Sequence, residues 1–138
     1  MLKRLTLATA ALGLAAAPSV HADETAELTR GEAKLAKLLD GRVAGEPERC
    51  IRTIGSRNLR TIDNTALVYE SGDTIWVNYT KTPQSLDSSD YLVIERFSGT
   101  SLCRTDRVTT RDRLGNFFSG VVFLDDFVPY RKVDTDAS

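Results

Sequence analysis

Residues 65–80, TALVYESGDTIWVNYT, read as two strands folded back on one another. Ser71-Gly72-Asp73 supplies the turn, because glycine tolerates the positive φ that a tight hairpin demands. On either side the side chains alternate: Leu67 and Tyr69 against Val68 and Glu70, then Ile75, Val77 and Tyr79 against Thr74, Trp76 and Asn78. Successive strand residues point to opposite faces of a sheet, so Trp76 and Tyr79 fall on different faces.

The same pattern extends in both directions from this hairpin. Short apolar or alternating runs bounded by turn residues predict strands at Cys50–Ile54, Leu59–Asp63, Thr65–Glu70, Thr74–Thr80, Tyr91–Phe97, Arg107–Arg111, Phe117–Leu124 and Phe127–Arg131. Phe117–Leu124 is apolar on both faces, which predicts a central strand. Thr82–Asp90, with Pro83 and three serines, is the longest polar loop, and Asp112–Asn116 is a second turn. So many short strands predict a mainly β fold, a small antiparallel β-barrel or curled sheet, since closure removes exposed edges.

One helix is expected upstream of the strands. Thr29-Arg30-Gly31-Glu32 has capping-box spacing, in which Thr29 caps the helix and Glu32 reaches back to its amide. Leu28, Leu35, Leu38 and Leu39 then share one stripe, Lys34 and Lys37 lie off it, and Gly41 is the stop. Gly41–Pro47 reads as a connecting loop. The expected organisation is therefore a leader at 1–22, a helix and loop at 23–47, a β domain at 48–133 and a frayed end at 134–138.

The leader is an export signal by its composition. Lys3 and Arg4 precede an uncharged run from Leu5 to Ala17, and Val20-His21-Ala22 is a small-x-small cleavage site before Asp23-Glu24. The run is shorter than the roughly 18 to 20 residues of a spanning helix, and no cysteine follows it to carry a lipid, so no stable membrane anchor is expected. The mature chain belongs in a periplasm or outside the cell.

Cleavage after Ala22 changes the charge balance. The whole chain of 138 residues has 18 basic and 19 acidic side chains; losing Lys3 and Arg4 leaves 16 and 19, a formal net charge of −3 on residues 23–138. His21, the one histidine, departs with the leader, which excludes Ser-His-Asp and Cys-His catalysis and every zinc site built on imidazole. No Gly-rich phosphate loop or nucleophile elbow is present, and no cofactor is expected. Negative charge and export together disfavour a nucleic-acid partner.

Cys50 and Cys103 are the two cysteines of the chain, and in an oxidising compartment two lone thiols pair. The loop between them is about fifty residues, for which chain entropy gives about 4 kcal/mol of stabilisation. Arg49, Arg52 and Arg104 beside the sulfurs would favour thiolates, but a redox pair usually has C-x-x-C spacing, and these residues are far apart.

Arginine is the unusual component of the mature chain, 12 residues against 4 lysines. Arg107, Thr109 and Arg111 share one strand face, which extends to Arg113 if the strand continues, and a planar guanidinium suits phosphate, carboxylate or sulfate. Together with Trp76, Tyr79 and the other tyrosines they form the palette of an interface, for an envelope protein or an anionic ligand. Pairing with Glu95, Asp106, Asp112 or Asp125 is the competing fate of these arginines. Among the acids, Asp63, Glu70, Glu95, Asp87 and Asp90 are the candidates for a carboxylate-dependent enzyme or a metal site. Asp87-Ser88-Ser89-Asp90 lacks the glycine and bidentate Glu of a calcium loop, and Asp125-Asp126 reads as turn chemistry.

Arg49-Cys50-Ile51, the Tyr69–Asn78 hairpin with Trp76-Val77-Asn78, Leu102-Cys103 through Val108, and Phe127-Val128-Pro129-Tyr130 together resemble small exported proteins of proteobacteria classed as a domain of unknown function. That resemblance covers most of the mature chain and implies periplasmic export and a disulfide-linked β domain. It implies no catalytic or binding residue. The sequence therefore points to a non-catalytic binding or interaction module, ahead of a small carboxylate-dependent enzyme or metal-binding protein.

A reporter fused behind residues 1–22 is expected to be exported with cleavage after Ala22, and the exported chain is expected to weigh two daltons less than its dithiol form. An uncleaved, membrane-retained product in intact-mass analysis contradicts the export reading.

Overall fold

The computed structural model describes residues 29–54 and 58–134. The leader, its cleavage point, Leu28 and residues 135–138 lie outside them. The described elements are a helix, α1 (Arg30–Leu38), and ten strands: β1 (Arg42–Ala44), β2 (Cys50–Arg52), β3 (Leu59–Ile62), β4 (Ala66–Ser71), β5 (Thr74–Asn78), β6 (Tyr91–Glu95), β7 (Ser101–Cys103), β8 (Arg107–Arg111), β9 (Phe118–Val122) and β10 (Phe127–Lys132). A short 3-10 turn, Pro83–Ser85, lies in the long polar loop.

The hairpin forms as its sequence requires. Gly72 takes φ +56° between β4 and β5, and the register sets Val68 opposite Val77 and Tyr69 opposite Trp76. These two strands lie inside a five-stranded antiparallel sheet ordered β1-β10-β5-β4-β3. On one face Val68, Ile75 and Val77 join Ile62 and Ala66 beneath Leu35 of the helix. On the other, Leu67, Tyr69 and Phe127 meet Ile51, Leu102, Val108 and Val122 from the remaining strands. Those strands make a two-stranded sheet, β2-β7, and a three-stranded sheet, β6-β8-β9. The result is three layers, with the five-stranded sheet in the middle.

This arrangement corrects the expected barrel: the sheets are antiparallel but not closed, and the five-stranded one ends at β1 and β3. The physical reason is in β4 and β5, whose side chains are buried on both faces. A small barrel offers one interior, whereas a middle layer offers two apolar contacts. The prediction of Phe117–Leu124 as a central strand is corrected as well. β9 is an edge of its sheet, and its outward residue Phe118 is exposed. Double-sided burial belongs to β4 and β5 instead.

Two strands lie where none was predicted. Arg42–Ala44, within the stretch read as a loop, pairs with β10. Ser101–Cys103 pairs with β2 and sets Cys50 directly opposite Cys103, where the disulfide closes a sequence separation of 53 residues. The helix has both halves of its capping box, with the Glu32 amide donating to Thr29 Oγ1 and the Thr29 amide to Glu32 Oε2. Gly31 sits over Asp63 and Thr65, where a Cβ would collide with backbone and side chain, so the weak helix former there is a packing requirement. Among the described residues no helix is long and apolar enough to cross a membrane.

Two buried polar side chains fasten strand ends and turns. The Asn78 amide donates to the Asp125 carbonyl at 2.6 Å, and its oxygen accepts from the amides of Asp125 and Thr80, each at 3.0 Å. Asp106 accepts the amides of Phe97 at 3.2 Å and Cys103 at 2.7 Å, which fixes the β7–β8 turn beside the disulfide.

Leu35 is the one helix residue in α1 that is fully buried. Leu35→Ala is expected to cost about 2 to 5 kcal/mol in denaturant unfolding; a loss below about 0.5 kcal/mol would mean that the helix is not docked.

Candidate functional site

The alternation of β8 decides which of its residues are available. Val108 and Thr110 point into the core and are buried, while Arg107, Thr109 and Arg111 point outward. Across the ladder on β6 stand Glu95, Val93 and Tyr91; on β9, Val121 faces Thr109 and, past a register shift, Phe118 faces Arg111. Phe118 is 60% exposed and Phe123, just beyond β9, is 57% exposed. The outer face of the three-stranded sheet thus presents arginines beside uncovered aromatic rings.

The arginines are only weakly engaged. Arg107 approaches Glu95 at 3.8 Å with both side chains largely in water, a geometry that contributes about 0 to 1 kcal/mol. Arg111 donates to the Asn116 carbonyl at 3.2 Å and Arg113 to the Asp90 carbonyl at 3.2 Å, so neither is held by a carboxylate there. Asp112, an expected partner, accepts the amides of Leu114 and Gly115 in its own turn. Asp106, another, is occupied as described. Arg104 does pair, with Asp126 at 3.0 Å. At the Arg107 end, Lys81, Arg104 and Arg107 surround a cleft of about 260 Å³ whose apolar wall includes Val121 and Phe123. At the other end the turn carries Leu114, 98% exposed, and Phe117, 74% exposed.

Trp76 and Tyr79 do not join this surface. Trp76 is half-buried in β5 on the side facing the small sheets, with the Arg131 guanidinium 5.9 Å from its ring centroid, a cation–π arrangement. Tyr79 lies on the helix side, and its hydroxyl meets that of Tyr130 at 2.6 Å. Burial, reinforced by that hydrogen bond, pushes the Tyr79 hydroxyl well above the usual phenol range. The structure therefore keeps Arg107 and Arg111 on one face of β8, at its two ends, and leaves the two aromatic candidates on opposite faces of the five-stranded sheet.

The candidate acids are spread over separate tasks. Glu70 is the partner of Arg60. Asp63 accepts the Ser88 amide, and Asp87 accepts the amide and hydroxyl of Ser89, which hold its carboxyl below the usual range. Asp63 and Asp87 do line one cleft beside the start of α1, but Asp90 and Glu95 are elsewhere. Among the described residues no three His, Cys, Asp or Glu side chains group as metal ligands.

Reading the sequence found the arginine stripe through period-two alternation, and missed its companions. The composition of Phe117–Leu124 predicts a central strand, which would cover Phe118 and Phe123, and nothing local to Lys81 or Arg104 tells that they share a cleft with Arg107. No protein-family model, curated protein or solved structure matches the chain.

Proposed function

We propose that the mature chain is an exported periplasmic, non-catalytic interaction module. Its working surface is the outer face of the β6-β8-β9 sheet, and its partner is an envelope protein presenting acidic groups. The observation that carries this reading is Phe118 and Phe123 exposed beside Arg111 and Arg107 on the outer side of the β6-β8-β9 sheet. Such rings lose water when a partner covers them, and rigid aromatic and arginine side chains are the residue types that concentrate binding energy. The Cys50–Cys103 disulfide supports an oxidising compartment, in keeping with the export signal. The resemblance to exported proteobacterial proteins of unknown function fits the same compartment.

A carboxylate-dependent enzyme or a metal-binding role has less support. The acids such a role would need are engaged separately, Glu70 with Arg60, Asp63 with the Ser88 amide and Asp87 with Ser89.

Immobilised mature chain is expected to retain one envelope protein, and the pairs Arg107→Ala/Arg111→Ala and Phe118→Ser/Phe123→Ser are each expected to weaken it by about tenfold or more at an unchanged melting midpoint. Equal retention by all three forms, or no specific retention by wild type, contradicts the proposal.

A further inference from the structure

A second surface, on the opposite side of the molecule's middle layer, has a more selective chemistry. α1 docks on the five-stranded sheet through Leu35, with Leu38 only partly buried. Lys34 and Lys37 are three residues apart, so they lie one turn from each other along the same flank of the helix. Across from them runs β3, the free edge of the sheet, where Arg60 is opposite Val68 and so shares the helix-side face with it. Between helix and edge strand is a cleft of about 370 Å³ lined by Lys34, Lys37, Leu38, Arg60, Ile62 and Val68, together with Thr61.

The lining divides by chemistry. Leu38, Ile62 and Val68 supply apolar wall, Lys34 and Lys37 supply the unbalanced charge, and among the described residues no carboxylate lines the cleft. Arg60 is paired with Glu70, whereas Lys34 and Lys37 have no carboxylate partner among the described residues. Lysine stems add further apolar area while their ammonium groups stay in water at the rim. Apolar surface under cations that lack counter-charges is complementary to one ligand type: a hydrocarbon chain ending in an anion. A neutral chain would leave the lysines unused, and a plain anion would leave the floor wet. The volume is at the lower end of the about 300–1,000 Å³ of small-molecule sites, which suits one chain better than two.

We propose that the α1–β3 cleft binds a single-chain anionic amphiphile, its chain along Leu38, Ile62 and Val68 and its carboxylate or phosphate head against Lys34 and Lys37. This site is separate from the arginine face of the β6-β8-β9 sheet and stands or falls independently of it.

Isothermal titration of the mature chain, below micellar concentrations, uses dodecanoate and dodecyl phosphate as anionic probes, with dodecyl maltoside and dodecyltrimethylammonium as neutral and cationic controls. Saturable one-to-one binding of an anionic probe is expected, with affinity at least about tenfold above both controls. Comparison of the two anionic arms tells which head the lysines favour. Lys34→Glu/Lys37→Glu, and the milder Lys34→Gln/Lys37→Gln, are expected to lower anionic affinity by about tenfold or more, with melting transitions retained. Arg107→Ala/Arg111→Ala is expected to leave it unchanged. Equal binding of the neutral probe, no saturable binding of either anion, or affinity that survives both lysine pairs and falls with the arginine pair overturns the proposal.

Discussion

β4 and β5 must bury both of their faces, and the rest of the architecture follows from that requirement. Leu67 and Tyr69 belong to one core; Val68, Ile75 and Val77 belong to the other. Each such side chain removed from water contributes about 1.5 to 3 kcal/mol, an upper figure because unfolded chains already bury some surface. Together they are comparable with the whole net stability of a small domain, about 5 to 15 kcal/mol. A helix covers one side and two small sheets cover the other, so closing the sheet into a barrel would have left one of these faces in the wrong environment.

The covering layers need help of different kinds. α1 is nine residues long, too short to persist alone, and is held by Leu35 and by a capping box that satisfies its first amides. The β2-β7 ladder has three residues per strand, a marginal length, and the disulfide joins its directly opposed residues. Asp106 then fixes the turn out of β7, and Asn78 fastens the chain between β9 and β10 to the end of β5. With the inner faces anchored in this way, the outer face of β6-β8-β9 is left to solvent and carries Arg107 and Arg111.

Features set by local chemistry were legible in the sequence. The turn at Gly72 is dictated by a positive φ, the helix start by Thr29 and Glu32, and the division of Trp76 from Tyr79 by strand alternation. The pairing of Cys50 with Cys103 follows from there being two cysteines in a sequence that carries an expected export signal. What was illegible depends on partners distant in sequence. β1 and β7 are three-residue strands that exist because β10 and β2 lie beside them. Phe117–Leu124 has the composition of a central strand, and only the topology makes β9 an edge and leaves Phe118 in water. Trp76, Tyr79, Arg107 and Arg111 share interface chemistry, yet the fold sets them on three different faces of two sheets. Lys34 and Lys37 are marked by the sequence only as lying off the apolar stripe of α1, and the topology alone sets Arg60 of β3 across from them.

Native-state hydrogen exchange tests the central claim most directly, because a layer buried on both sides opens only when both of its neighbours leave. The account predicts that the hydrogen-bonded amides of Leu67–Tyr69 and Ile75–Asn78 exchange slowest, by global unfolding, while those of α1 and of β6 and β9 exchange faster through local opening. Slowest exchange in the β6-β8-β9 sheet, with β4 and β5 opening independently, would contradict it.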